Sequence, residues 1–290
     1  SIRSIEAIDL DEDGDIDFLS GSSDGSTGEV AWYENNGSES FTKHSLTTSY
    51  DGSMDLTAAD IDRDGDIDIA STASDYDNDD AATWIWFDNN GSESFTIREV
   101  SLEIGGYGGN EIEIKDLDQD GDMDLVSSSW ANLVWFENTT STAYDMEFTT
   151  HTVTASLDGP NSVVGADMDM DGDIDIVSFS SGDDKISWYE NNGSQSFNSH
   201  DVITNYGGGQ SNIIVDDLDN DGDIDIISPS KWWKNNGSQS FSEQSFGGSS
   251  YAVAVADLDL DGDNDIITGG SSIKWGVNDG SENFSSQSFG

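Results

Sequence analysis

Short apolar runs recur along this chain, and none keeps a helical period. IEAI at 5–8, EIEI at 111–114, NIIV at 212–215 and AVAVA at 252–256 each stand directly before an acidic stretch. A second run follows each stretch: IDFLS, IDIAS, MDLVS, IDIVS, IDIIS and NDIIT. Alternation rich in Ile and Val over about four to six residues predicts strands. Two such strands joined by a short Gly-containing loop make a hairpin. A third strand is expected around one aligned tryptophan per unit: AWYENNG at 31–37, IWFDNNG at 85–91, VWFENTT at 134–140, SWYENNG at 187–193, KWWKNNG at 231–237 and IKWGVNDG at 273–280. The Asn-Gly and Asp-Gly pairs favour positive φ and tight hairpin turns. A fourth strand then starts at Phe41, Phe95, Phe148, Phe197, Phe241 and Phe284.

Six units of four short antiparallel strands predict an all-β fold, a six-bladed β-propeller with one loop of special chemistry per blade. The expected domain is a single propeller over 1–290, with approximate blades 1–50, 51–105, 106–156, 157–206, 207–247 and 248–290. SQSFG at 286–290 would run into SIRSIEAID much as QSFGG at 244–248 runs into SSYAVAVAD. The chain is therefore expected to be cut at a unit boundary, with no strand exchanged between the first and last blades. Ser1 is not Met and no signal peptide is visible, as in a processed product or a fragment of a longer chain.

The acidic stretch between the first two strands is DLDEDGDID at 9–17, DIDRDGDID at 60–68, DLDQDGDMD at 116–124, DMDMDGDID at 167–175, DLDNDGDID at 217–225 and DLDLDGDND at 257–265. All six fit D-x-D-x-D-G-D-x-D, which chance does not produce. Hard cations such as calcium take six to eight oxygen ligands in flexible geometry. Acids at positions 1, 3 and 5 can curl around one ion. Glycine at 6 allows the sharp turn, position 7 can offer its backbone oxygen, and Asp at 9 can close the cage. Magnesium demands stricter octahedral geometry, and zinc prefers His or Cys. An EF-hand would need a bidentate Glu at position 12, where this chain has Ser20 and Ser71 inside a strand. The competing readings are a merely solvated acidic turn and a catalytic metal. Against the second, so many acid ligands leave little room for substrate.

Composition sharpens this picture. The chain has 60 acids and 9 bases, a formal charge of −51. Such a polyanion repels nucleic acid and anionic membranes, so neither is expected as a partner. The 10% aromatic content and regular apolar runs argue against disorder. Half of the acids lie in the six stretches, although a saline habitat would also favour acidity. Cysteine is absent, which removes disulfides and thiolate metal sites. No apolar run of about 18 residues occurs, so insertion into a membrane by a helix is not expected.

The whole pattern resembles the FG-GAP/VCBS-type repeats of integrin α-subunit heads and many secreted bacterial proteins. Those carry D-x-D-G-D-x-x-D loops between the first two strands of a propeller blade, followed by W-[YF]-x-N-x-G-x-x-x-F, as in WYENNGSESF at 32–41. The resemblance implies about six calcium ions, ligated by Asp at positions 1, 3, 5 and 9 and by the backbone at 7. The residues concerned are Asp9, Asp11, Asp13, Asp15 and Asp17 in the first loop, and Asp60, Asp62, Asp64, Asp66 and Asp68 in the second. They are Asp116, Asp118, Asp120, Asp122 and Asp124 in the third, and Asp167, Asp169, Asp171, Asp173 and Asp175 in the fourth. They are Asp217, Asp219, Asp221, Asp223 and Asp225 in the fifth, and Asp257, Asp259, Asp261, Asp263 and Asp265 in the sixth. The third unit departs after its tryptophan, with NTTSTAYDMEF where others read NNGSxSF; this puts its turn in doubt.

Other features have ordinary explanations. His44, His151 and His200 each stand three residues after the aligned Phe, on separate blades, and should not converge on a catalytic triad. No catalytic residues are expected. The aligned tryptophans Trp32, Trp86, Trp135, Trp188, Trp232 and Trp275 read as packing between blades. Trp84, Trp130 and Trp233 fall outside that set, and with Tyr107 and Tyr206 in Gly-rich loops they are the candidates for exposed ligand contacts. The acidic insert SDYDNDD at 74–80 reads as a solvated loop, or else an accessory calcium or partner contact. N-x-S/T sequons at Asn36, Asn90, Asn138, Asn192, Asn236 and Asn283 would carry glycans where the machinery exists, although turn chemistry alone explains N-G-S.

The functional expectation is a non-catalytic extracellular module, structural or adhesive and held by calcium. Its expected partners are itself, in a fibre or surface layer, or other extracellular proteins and glycans. Cytosolic calcium is too scarce to fill sites of this kind. The alternative is a carbohydrate-binding propeller, marked by loop aromatics gathered in one pocket. A polysaccharide-active enzyme would need a convergent base and cation.

Overall fold

The computed structural model describes residues 2–23, 28–38, 40–48, 55–74, 82–92, 94–101, 109–129, 131–140, 147–207, 212–246, 252–269, 272–281 and 283–288. The first sheet is β1 (Ile2–Ile8), β2 (Asp17–Ser23), β3 (Gly28–Asn35) and β4 (Phe41–Thr47). The second is β5 (Leu56–Ala59), β6 (Asp68–Ser74), β7 (Ala82–Asn89) and β8 (Phe95–Ser101). The third is β9 (Gly109–Lys115), β10 (Asp124–Ser129), β11 (Asn132–Asn138) and β12 (Phe148–Thr154). Then come β13 (Pro160–Ala166), β14 (Asp175–Ser180), β15 (Lys185–Asn191) and β16 (Phe197–Ile203). The fifth sheet is β17 (Ile214–Asp216), β18 (Asp225–Ile227), β19 (Lys231–Asn235) and β20 (Phe241–Ser245). The sixth is β21 (Ala252–Ala256), β22 (Asp265–Gly269), β23 (Ile273–Asn278) and β24 (Phe284–Ser288).

In every sheet the strand order is the sequence order, so each is a four-stranded meander. The chain is all-β, and the six antiparallel meanders are the blades of a six-bladed β-propeller, as the periodicity predicts. Each aligned Phe opens its fourth strand, and each loop's final Asp opens its second. No strand is exchanged between sheets among the described residues.

The chain divides into two compact units, Ser1–Pro160 with the first three sheets and Asn161–Gly290 with the last three. Within each unit the apolar core lies between consecutive sheets. In the first unit, Leu10, Trp32, Leu56, Ile69 and Phe87 form one cluster, and Ile61, Trp84, Ile112, Leu125 and Phe136 form the next. In the second unit, Met168, Phe179, Trp188, Ile226 and Trp233 pack together, and Leu218, Ile227, Trp232 and Ile266 form a second cluster. A middle strand covered on both faces reads as a continuous apolar run, which explains IDIVS. Accordingly β10 and β14 are buried at every position, whereas β4 and β20 are largely exposed. Each fully buried indole removes about 150–250 Å² from water, worth several kcal/mol at about 25 cal/mol per Å².

Candidate metal centres

All six acidic loops share one backbone path. Glycine at position 6 has φ between +92° and +99°, a region closed to most side chains. Position 4 is also left-handed, at φ near +60°, although it is never glycine: Glu12, Arg63, Gln119, Met170, Asn220 and Leu260 stand there. Two left-handed residues separated by one turn the chain back on itself. The curl is held by carboxylates that accept from N–H groups further along. The position-6 amide donates to the position-1 carboxylate in every loop, from Gly14 to Asp9 at 3.0 Å through to Gly262 to Asp257 at 3.0 Å. The position-7 amide donates to position 5, as from Asp173 to Asp171 at 2.9 Å.

The position-9 carboxylate is the floor of the loop. Asp17, Asp68, Asp124, Asp175, Asp225 and Asp265 are all fully buried. One oxygen accepts from the position-2 amide, as from Met168 to Asp175 at 3.0 Å. The other accepts from the amide of the Asn that ends the third strand: Asn35, Asn89, Asn138, Asn191, Asn235 or Asn278, at 2.7–2.8 Å. That Asn is a hub. Its side-chain amide donates to the position-8 carbonyl, as from Asn191 to Ile174 at 3.1 Å. Its oxygen accepts from the residue two on, which sets the turn. In the third, fifth and sixth sheets it also donates to a position-2 carbonyl of the preceding sheet: Ile61, Met168 and Leu218. Position 2 thereby does two jobs, since its side chain enters the core between sheets. Sequence reading singled it out only at Asn138, as a sequon.

The mouth of the loop gathers acids. Carboxylate oxygens of Asp60, Asp62 and Asp68 lie within 4.8 Å of one another, as do those of Asp116, Asp118 and Asp124, of Asp167, Asp169 and Asp175, and of Asp217, Asp219 and Asp225. In the first loop the trio is Asp9, Asp11 and Asp13. Burial pushes Asp68, Asp124 and Asp175 up to about 7 and Asp225 up to about 8, against the pull of the backbone amides that bind them. Burial, and then the charges of Asp64 and Asp88, push Asp62 up to about 6. An oxygen of each of Asp9, Asp60 and Asp116 is buried without a hydrogen-bond partner in this cluster. Buried orphan acceptors among converging carboxylates are what a hard cation would satisfy. The residues present therefore fit calcium.

Position 7 plays another part. Glycines 37, 91, 193, 237 and 280 of the turn after the third strand are left-handed and lie so close to Asp15, Asp66, Asp173, Asp223 and Asp263 that a Cβ there would collide with the carboxylate. These five side chains lie against the turn. In the third sheet Thr140 stands where the glycine is elsewhere. Its amide still bonds to Asn138, and Thr139 closes a longer turn onto the Glu147 carbonyl at 2.8 Å. There Asp122 instead pairs with Arg63, which reaches over from position 4 of the second loop. Asn220 reaches likewise from the fifth loop to Asp263 of the sixth, at 3.1 Å. Beside the first loop a cavity of about 420 Å³ opens, with Asp11, Glu12 and Asp13 on one side and Asp66 on the other.

Beyond the mouth lies a layer that sequence reading did not connect to it. His44, His151 and His200 stack on Trp32, Trp135 and Trp188 of their own sheets, with centroids 4.5–4.6 Å apart. Each Nε2 meets the acid two residues beyond its tryptophan, Glu34 at 2.8 Å and Glu137 and Glu190 at 2.6 Å. In the second sheet Arg98 takes the place of His and pairs with Asp88 at 2.7 Å. The histidines lie in three separate sheets.

The remaining candidates need correction. Trp84 and Trp233 are fully buried, and Tyr206 is 5% exposed with its hydroxyl donating to Ser228. They pack against Phe136 or against one another rather than meeting solvent, because both faces of a third strand are covered. Tyr107, Trp130 and residues 75–80 of the insert lie outside the described residues. Asn138 is 1% exposed and is the hub asparagine, with its amide nitrogen committed to two carbonyls, so it is not an accessible sequon. Asn36, Asn90, Asn192, Asn236 and Asn283 are exposed. Another acid group was not visible in the sequence: Glu6, Asp55 and Glu113, from the inner edges of the first three sheets. Burial pushes Glu6 up to about 7, with Glu113 and Asp55 adding to the shift. Ser4 and the amide of Ile112 donate to Asp55, and Lys115 pairs with Glu113.

Comparison with known proteins bears on these loops directly. The model of the FG-GAP-like repeat matches residues 9–71, 116–178 and 167–228, each match beginning at the first Asp of a loop. Together these cover more than half of the chain. No curated protein matches by sequence. Among solved structures, the periplasmic gluconolactonase of Pseudomonas aeruginosa is similar at a TM-score of 0.61 and 11% identity, over 94% of this chain and 83% of that one. A Lactobacillus plantarum protein gives 0.59 and 10% identity, over 93% and 80%. A rhamnogalacturonan lyase gives 0.56 and 13% identity, over 100% of this chain and 64% of that one. At such identities the likeness is one of fold.

Proposed function

The chain belongs to the FG-GAP-like repeat family, and from that premise we propose that it is a calcium-stabilised structural or adhesive module working outside the cell, without catalysis of its own. The observation that carries this reading is the mouth of the loop, where acids converge around buried orphan oxygens and hard-oxygen donors are the only ligands offered. Calcium suits such a flexible all-oxygen set, and extracellular modules bind it at roughly 10⁻⁴–10⁻³ M. Enzymes are built on propellers too, so the fold does not decide the matter. The distribution of cations supports the non-catalytic reading. Seven of the nine basic residues are ion-paired: Lys43, Arg63, Arg98, Lys115, Lys185, Lys231 and Lys234. They are dispersed over five sheets. A module of this charge would meet a like partner through calcium bridging or exposed glycans, and self-assembly into a fibre or layer is the form we favour.

The test is thermal unfolding and light scattering in millimolar calcium and then in chelator, with negative-stain microscopy of both samples. Each site held ten-fold above its dissociation constant adds about 1.4 kcal/mol, so six would add up to about 8 kcal/mol. Unfolding is expected to drop steeply on chelation. An unchanged transition would overturn the calcium reading, and isolated 31 kDa particles in calcium would overturn the assembly reading while leaving the first intact.

A further inference from the structure

The fifth loop differs from the others in its neighbour. Two residues beyond the aligned tryptophan the first four sheets carry an acid, Glu34, Asp88, Glu137 or Glu190. In the second and fourth sheets this acid lies near enough to act on position 3 of the loop, Asp88 on Asp62 and Glu190 on Asp169. Each of these acids is met by a cationic or ionisable partner, Arg98 or a histidine. The fifth sheet has Lys234 there, and Gln244 in the partner's place. The sixth has Val277, with no charge.

The ammonium of Lys234 is ion-paired with Asp219, position 3 of the loop, and its nitrogen lies 3.3 Å from Asp221, position 5. The Asp219 side chain is only 5% exposed, so this is a pairing inside the mouth and not on the rim. The same two acids are ligands in the calcium reading of the other loops. We infer that Lys234 is a built-in cation that makes the fifth loop the last to take calcium, so that the chain's sites fill in two steps. This rests on the calcium reading above. For an ion to enter, the ammonium must give up both carboxylates and stay beside a dication. Like charges at that range repel, and the cost is greater in a half-buried site. In the second and fourth loops an acid stands in the equivalent place and adds negative charge beside position 3 instead. The feature would let one molecule respond over a wider calcium range than six equal sites would.

The experiment is calcium titration of the intact chain by calorimetry with a competing chelator, followed in parallel by amide NMR. The reporters are Gly222, which bonds to Asp217 in the fifth loop, and Gly172, which bonds to Asp167 in the fourth. In the unaltered protein Gly172 is expected to shift early and Gly222 late, at calcium concentrations about ten-fold higher. Lys234→Met should bring the two together, and Lys234→Glu should do so more strongly. Lys231→Met, which removes a pairing with Glu243 away from the loop, should leave the order unchanged. Gly222 and Gly172 moving together in the unaltered chain would overturn the inference and leave calcium binding standing. A late Gly222 that neither variant advances would also overturn it. No calcium uptake by any of these proteins would sink the underlying reading as well.

Discussion

The floor and the mouth of each loop are built from the same residue and behave in opposite ways. At the floor, Asp175 is fully buried and each oxygen already accepts a backbone amide. At the mouth, Asp171 is exposed, bonded within the loop, and near enough to Asp169 for their charges to repel. The floor is a clasp that joins the first, second and third strands. The mouth is held together by turn contacts within the loop, and on the calcium reading its worth would come from the ion it holds. Place in a motif therefore does not make two aspartates alike. What differs is how much of each carboxylate was hydrogen-bonded when the chain folded, and Asp175 still keeps a lone pair on each oxygen, with one of those oxygens within 4.8 Å of Asp167 and Asp169.

The sharpest way to break this comparison is Asp175→Ala. It leaves two buried amides unpartnered and should cost about 2–4 kcal/mol, read from urea unfolding. The loss should be of similar size in calcium and in chelator. A loss seen only with calcium would make position 9 a ligand first and a clasp second.

Glu6 sharpens the contrast from the other side. It is largely buried, but one of its oxygens has no hydrogen-bond partner, unlike the floor. Its folded value of about 7 lies above the ordinary value of 4.5, so the native state holds the proton more tightly than the unfolded chain. That contribution is fully present below pH 4.5 and is lost as pH rises to 7. Glu6→Gln should match the parent at pH 4 and exceed it by about 2 kcal/mol at pH 8, after allowance for partial solvation. A variant weaker than the parent at pH 8 would mean that the charged form has a favourable partner.

The smallest effect is expected at the mouth. Asp171→Ala should cost about 1.4 kcal/mol at calcium ten-fold above the dissociation constant, and close to nothing in chelator. Equal losses in both conditions would erase the distinction between the two ends of the loop.

Much of this was legible in the sequence because the signals are local. Alternation, the six acidic stretches, one Trp and one Phe per unit located every blade. What was hidden depends on contacts between sheets. Trp84 and Trp233 looked surplus beside their aligned neighbours, but a strand sandwiched between sheets has two interior faces to fill. Asn138 scored as a sequon because the motif is local, while its burial comes from Ile61, far earlier in the chain. Glu6, Asp55 and Glu113 are about 50 residues apart from one to the next and share no pattern. The left-handed position 4 was masked by its six different side chains, since no residue type announced the strain.

The hub asparagine has one more consequence. Asn235 and Asn278 fasten their sheets to the one before through main-chain carbonyls, those of Met168 and Leu218. A main-chain acceptor is the same whatever residue bears it. The hydrogen bond makes no demand on its neighbour's identity, so a gene that copies one repeat copies this part of the fastening with it.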